Sequence, residues 1–164
     1  MSERPLPHDH ISYRINRAVY SAQNLAEVKT ALVNLISTLH AEDPDNKIYF
    51  VSGVINASGV RNNNRKNLWN YSEYIREKIT PWAFSSIDVF PGPVAKRIRQ
   101  SGASGSDYAR MFCEFIREAS NKLGGMVLTP HFELAPGAVS EVETAREVGI
   151  EIIDLRTELS KLKL

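Results

Sequence analysis

A single cysteine, Cys113, stands among 164 residues. An internal disulfide is therefore excluded, and so is a cysteine metal cluster. The simple expectation is a reducing, cytoplasmic setting, with Cys113 a small buried side chain on an apolar helix. Excess charge is lacking too. Lys and Arg number 20 against 19 Asp and Glu, a formal net charge of +1, so no strong field steers the chain toward a nucleic-acid polymer or a membrane surface. No run approaches the roughly 20 apolar residues of a membrane span. The stretch Met1 to His10 is polar and proline-bearing and has no apolar signal segment. Internal repeats and low-complexity tracts are also missing.

What is present is enough apolar material, 43% of the residues, for one globular domain with a real core. Residues 1–22 read as an N-terminal arm. Residues 23–164 read as a single α/β domain that begins with an extra helix. Asn24-Leu25-Ala26-Glu27 is a capping box. Leu25, Val28, Leu32, Leu35, Ile36 and Leu39 follow at helical spacing, and Asp43-Pro44-Asp45-Asn46 ends the helix. Lys47 to Val54 is a buried-type strand. A helix starts near Arg61 to Asn64, with Leu68, Tyr71, Ile75 and Ile79 on one face, and Pro81 stops it. Ser86 to Phe90 reads as a second strand, closed by Pro91-Gly92-Pro93. The stretch Val94 to Ser106 reads as a long loop, a candidate lid. Tyr108, Met111, Phe112, Phe115, Ile116 and Ala119 mark the next helix, which Gly124-Gly125 ends. A strand over Met126 to Thr129, a short helix around Glu141, a strand over Ile150 to Asp154 and a helical tail from Leu155 complete the chain.

Alternation of this kind predicts a parallel sheet of four to five strands with helices on both faces. The expectation is a three-layer, flavodoxin-like or Rossmann-like fold of order 2-1-3-4. Ligands bind such sheets at the switch point between the first and third strands. The loops there are Ser52 to Arg61 and Pro130 to Ser140.

These loops carry the chemistry-bearing residues. Gly53 lets backbone approach a ligand closely. Amides at the helix start bind anions, and Arg61 and Arg65 can add bidentate contacts to phosphate or carboxylate. The loop is neither a P-loop nor a GxGxxG fingerprint, and a solvated polar loop explains it as well. Glu141 falls in the first turn of its helix, where the dipole would hold it ionised; an ordinary first-turn acid is the plain alternative. Val142 and Ala145 should face the sheet, so only one of Glu141 and Glu143 looks into the crevice. Tyr49, near the end of its strand, either reaches a bound group or packs in the core. His131, just past the third strand, is a candidate ligand contact. One of Asp107 and Glu114 can bind sugar hydroxyls, though capping or solvation accounts for each as well. His8-Asp9-His10 has metal-binding spacing but sits in the arm. Lys96, Arg97 and Arg99 either clamp an anion or are solvated.

Three segments resemble the nucleoside 2-deoxyribosyltransferase-like superfamily, in particular its small bacterial and phage members. They are Ile48-Tyr49-Phe50-Val51-Ser52-Gly53 with Arg61-Asn62-Asn63-Asn64-Arg65; Val89-Phe90-Pro91 with Asp107-Tyr108; and Gly137-Ala138-Val139-Ser140-Glu141-Val142-Glu143-Thr144-Ala145 with Val148-Gly149-Ile150. The resemblance covers roughly Lys47 to Asp154. It implies cleavage or exchange of the N-glycosidic bond of a nucleoside or nucleoside 5′-monophosphate, with Glu141 as nucleophile and Tyr49 positioning it. It further implies phosphate or sugar contacts from Ser52, Ser58, Arg61 and Ser140, with Glu114 as the sugar-binding acid; Asn64 and Gly137 are further candidate substrate contacts. The region around Glu114 departs from the family's acid-rich segment, and Val142-Glu143-Thr144 replaces its apolar-Gly-Tyr. The logic is that of a retaining glycosidase. No metal or redox cofactor is implied. A homodimer or larger homo-oligomer is, and a non-catalytic nucleotide-binding module is the alternative function.

Overall fold

Two helices precede the first strand. The computed structural model describes residues 9–53, 61–130 and 135–155, with side chains from residue 65 onward in the second stretch. Helix α1 spans Ile11–Val19 and α2 spans Leu25–Glu42. His10 caps α1, its ring Nδ1 accepting the Ser12 amide at 3.1 Å. Asn24 caps α2 by accepting the Glu27 amide at 2.9 Å, and the Glu27 carboxylate accepts the Gln23 amide at 3.0 Å. These bonds satisfy amides that a helix start leaves without partners.

Ile11, Ile15 and Val19 recur every four residues and are fully buried. They join Val28, Leu32, Ile36 and Leu39 of α2 in one core. The expected arm over 1–22 is thereby corrected for its described part. An apolar stripe of this width docks a helix instead of leaving it in solvent. Residues 1–8, His8 among them, lie outside the described residues.

The sheet is built from β1 (Tyr49–Ser52), β2 (Ala83–Ser85), β3 (Gly125–Leu128) and β4 (Ile152–Asp154). Its order is β2-β1-β3-β4 and every pairing is parallel. The connections carry α3 (Arg61–Lys78), α4 (Ser86–Val89), α5 (Gly92–Gln100), α6 (Gly105–Ala119) and α7 (Pro136–Val148). The expected α/β architecture and strand order are both present. Side chains alternate between the two faces, as strand geometry requires. Phe50, Phe84, Met126 and Leu128 enter the core shared with α1, α2, α6 and α7. Tyr49, Val51, Ala83 and Val127 pack with Leu68 and Ile75 of α3. The first face is the thicker. There the Phe50 ring lies 5.4 Å from Phe84, 5.5 Å from Phe112 and 6.1 Å from Phe115, offset or edge-on packings that aromatic quadrupoles favour.

Three local expectations change. The second strand lies at Ala83–Ser85, not at 86–90, where α4 stands instead. The Asp88 carboxylate reaches back to the Ser85 amide at 2.8 Å, and that capping bond turns the chain into a helix despite β-branched Ile87 and Val89. The lid expected over 94–106 is largely helix α5. Pro91-Gly92-Pro93 stops no strand but opens α5; proline is well suited to a helix's first turn, and Val94 and Ile98 bury one face. Helix α7 begins at Pro136, earlier than expected, so Glu141 stands in its second turn. Gly149 closes α7 in the left-handed conformation, φ 79°, which costs glycine nothing. Of the expected helical tail, 156–164 lie outside the described residues.

Candidate functional site

Ser52 is the last residue of β1 and points to the thick face of the sheet. Its hydroxyl donates to Glu141 Oε2 at 2.9 Å. Ser52 is 2% exposed and Glu141 7%. Glu141 arrives there because Ala138, Val142 and Ala145 seat α7 on the core. Glu143, two residues on, is exposed, so one acid alone faces inward, as expected.

The strand ends are locked together beneath this pair. The Thr129 amide donates to the Ser52 carbonyl at 3.0 Å, and the Thr129 hydroxyl reaches the same oxygen at 3.3 Å. Gly53 permits the approach, since a Cβ there would lie 2.2 Å from Thr129 Oγ1. On the other side stands Cys113 of α6. Burial pushes its thiol pKa up, a Thr144 hydrogen bond opposes this, and the charge of Glu141 adds to the rise. Thr144 Oγ1 also bonds the Ser140 carbonyl at 2.9 Å.

The electrostatics of Glu141 reverse the expectation of a dipole-ionised acid. Burial pushes its pKa from 4.5 up to about 7, and the Ser52 hydrogen bond only partly opposes the rise. The macrodipole acts over the first turn of a helix, whereas desolvation penalises a buried carboxylate wherever it stands. The carboxyl is thus poised to gain or lose a proton near neutrality.

The other predicted residues divide. Gly53 and Ser52 come together with Glu141. Tyr49 does not: it opens β1, on the opposite face, among Val51, Leu68, Ile75 and Val127, and burial raises its phenol pKa. Ser140 is beside Glu141 in sequence, but its hydroxyl bonds the Pro136 carbonyl at 3.1 Å. Gly137 lies inside α7 with open space where a Cβ would be, so no close approach requires it. Glu114 pairs with Lys29 of α2 at 3.3 Å; Cys113 turns toward α7 and its neighbour Glu114 toward α2, as a rotation of about 100° per residue dictates. Arg61 and Asn64 belong to the first turn of α3; Ser58 and His131 lie outside the described residues.

Arg97 bonds the carbonyls of Ala22 and Tyr20, fastening the turn between α1 and α2. Asp107 caps α6 through the Ser104 amide at 2.8 Å. A separate hollow of about 610 Å³ between the residues just before α1 and helix α3 is lined by His10, Glu73, Tyr74 and Arg76 among others. Its polar groups are largely spent on one another: His10 Nε2 meets Glu73 Oε1 at 3.0 Å and Arg76 Nε meets the same oxygen at 2.7 Å. No group of metal-binding residues occurs among the described residues. No helix among them is long and apolar enough to cross a membrane.

Sequence reasoning missed Thr129 and Thr144. The register offered a signal for Thr129, because parallel strands that pair Ser52 with Leu128 bring the next residues, Gly53 and Thr129, side by side. Fold and site together define a parallel α/β protein with a buried carboxyl at the sheet's switch point. No family model, curated protein or solved structure matches the chain.

Proposed function

We propose that the chain cleaves or exchanges the N-glycosidic bond of a nucleoside or nucleoside 5′-monophosphate, with Glu141 as the nucleophile. One observation carries the reading: a buried carboxyl, oriented by a hydroxyl, lies where β1 and β3 end, the position at which open α/β sheets bind ligands. The resemblance of the segments around Ser52 and Glu141 to the nucleoside 2-deoxyribosyltransferase-like superfamily supplies the reaction class.

In this reading Oε2 is held by Ser52 and Oε1 attacks the anomeric carbon. A carbon–oxygen ester bond forms as the carbon–nitrogen bond breaks, and its electron pair leaves with the base, which takes up a proton. Water or a second base then displaces the ester and regenerates the carboxylate. Burial makes the carboxylate a poorly solvated and therefore stronger nucleophile, but only the fraction that has lost its proton reacts. A homodimer or larger assembly belongs to the same proposal.

The test is a panel of ribo- and deoxyribonucleosides and their 5′-monophosphates, with and without an acceptor base, followed by chromatography. Free base without acceptor marks a hydrolase, and exchange only with acceptor a transferase. Either product must vanish in Glu141→Gln. A second reading, a nucleotide-binding module without turnover, is favoured by the low exposure of Glu141. It expects a nucleotide to raise the melting temperature while no base is released.

A further inference from the structure

The geometry points to Ser52, rather than Tyr49, as the positioning residue that orients the Glu141 carboxyl, with Thr129 and Gly53 holding Ser52 in place. This rests on the proposed function only for its catalytic consequence; the arrangement itself is independent of it.

Parity along β1 decides between the two hydroxyls. Residues 49 and 52 are an odd number apart, so their side chains leave opposite faces of the strand. Tyr49 packs toward α3, and Ser52 meets α7 at 2.9 Å. The backbone at Ser52 has little freedom. Its carbonyl accepts both the amide and the hydroxyl of Thr129, at 3.0 and 3.3 Å. The glycine at 53 is what lets Thr129 close in. With the strand end fastened, the Ser52 Oγ vector is set by the fold, and the carboxyl takes its orientation from it.

A hydroxyl that donates to a carboxylate stabilises the charged form. Ser52 therefore also governs how much of Glu141 is ionised at a given pH. The titratable group facing Glu141 from α6 is Cys113, whose thiol is pushed up by burial and stays neutral near pH 7. The ends of β1 and β3 contribute Ser52 and Thr129, which do not titrate. Glu143 on α7 itself faces solvent.

The test reads the charge state directly. The protein is labelled with ¹³C at glutamate carboxyls, the Glu141 signal is assigned by its loss in Glu141→Gln, and its titration is followed in the wild type, Ser52→Ala, Ser52→Thr and Tyr49→Phe. In Ser52→Ala the midpoint is expected to rise by about one pH unit, a tenfold drop in carboxylate at a given pH below it. Ser52→Thr, which keeps the hydroxyl, should stay near the wild type, and Tyr49→Phe should not move the midpoint. An unmoved midpoint in Ser52→Ala, or an equal shift in Tyr49→Phe, overturns the assignment. If Ser52→Ala does not fold, Ser52→Cys, with only a weak thiol donor, takes its place with the same expected direction. Where turnover exists, the acid limb of kcat/KM must follow the NMR midpoint. A wild type without turnover defeats the proposed function, while the titration still decides the role of Ser52.

Discussion

Gly53 and Thr129 stand so close that a methyl group on residue 53 would lie 2.2 Å from the threonine hydroxyl. Residue 53 cannot take a side chain without parting the ends of β1 and β3. Gly53→Ala is expected to destabilise the protein by about 1–3 kcal/mol, the usual cost of overpacking, and to abolish any turnover. Thr129→Ala removes the nearest obstructing atom. The double variant should be more stable than the sum of the single effects, a coupling that urea denaturation measures. Strict additivity would show that the clash is relieved elsewhere.

Glu141 makes stability depend on pH. Its folded pKa of about 7 stands above the ordinary 4.5, so between these values the native state binds more protons than the unfolded chain. Its contribution is fully present below about pH 4.5, declines as pH rises and is gone above about pH 7. Glu141→Gln should abolish this slope and exceed the wild type at pH 8, relative to their difference at pH 4.5, by roughly 3 kcal/mol. Thermal melts of both proteins across pH 4 to 9 check it. Parallel curves would refute the buried titration.

The same group sets the expected rate profile. A nucleophile must be ionised, so kcat/KM on any substrate found should climb about tenfold per pH unit below its midpoint and level off above about pH 7. A rate that is flat from pH 5 to 8 would remove Glu141 from the chemistry.

Arg76 and Asp88 meet at 3.5 Å, with side chains 7% and 0% exposed. One polar atom of each, Nη2 and Oδ1, has no hydrogen-bond partner among the described residues. Asp88 also caps the turn from β2 into α4. Asp88→Ala should cost about 1–3 kcal/mol, because it leaves the buried Ser85 amide without its acceptor, while Arg76 keeps Glu73 and the Ala83 carbonyl. Arg76→Met combined with Asp88→Asn should cost less than the two changes summed, as chemical denaturation will read.

Helix α1 is part of the core. Ile15→Ala should cost about 2–4 kcal/mol, and a protein beginning after residue 20 should melt well below the full chain. An unchanged melting temperature would restore the reading of an arm.

β1 and β3 were legible as apolar runs separated by helical spacing, and the strand order followed from the flavodoxin-like class that such alternation implies. β2 was not legible, since Ala83-Phe84-Ser85 is shorter than any periodicity and apolar Ile87 and Val89 follow at once. α5 hid behind Pro91-Gly92-Pro93, which fits both a stop and a start. That only one of Glu141 and Glu143 faces inward was legible from helix geometry, and the family resemblance pointed to Glu141. Its charge state was not legible, because one turn of helix separates a dipole-held carboxylate from a desolvated one, and only the packing of α7 reveals which applies. Parity along β1 separates Tyr49 from Ser52 in the sequence, but which of the two faces Glu141 is decided by the packing of α7. The partner of Glu114 was not legible, because Lys29 is 85 residues away.

That separation bears on how the chain is made. The apolar side of α2 is covered by α6, and Lys29 reaches Glu114 and Glu118 across the seam. At roughly 5–20 residues per second of synthesis, the ribosome needs on the order of 4 to 17 s to deliver the covering helix. Until then Val28, Leu32 and Leu39 lack the α6 side of their core. The nascent chain thus carries α2 partly uncovered until α6 and β3 follow, and a holdase that grips α2 would act during that interval.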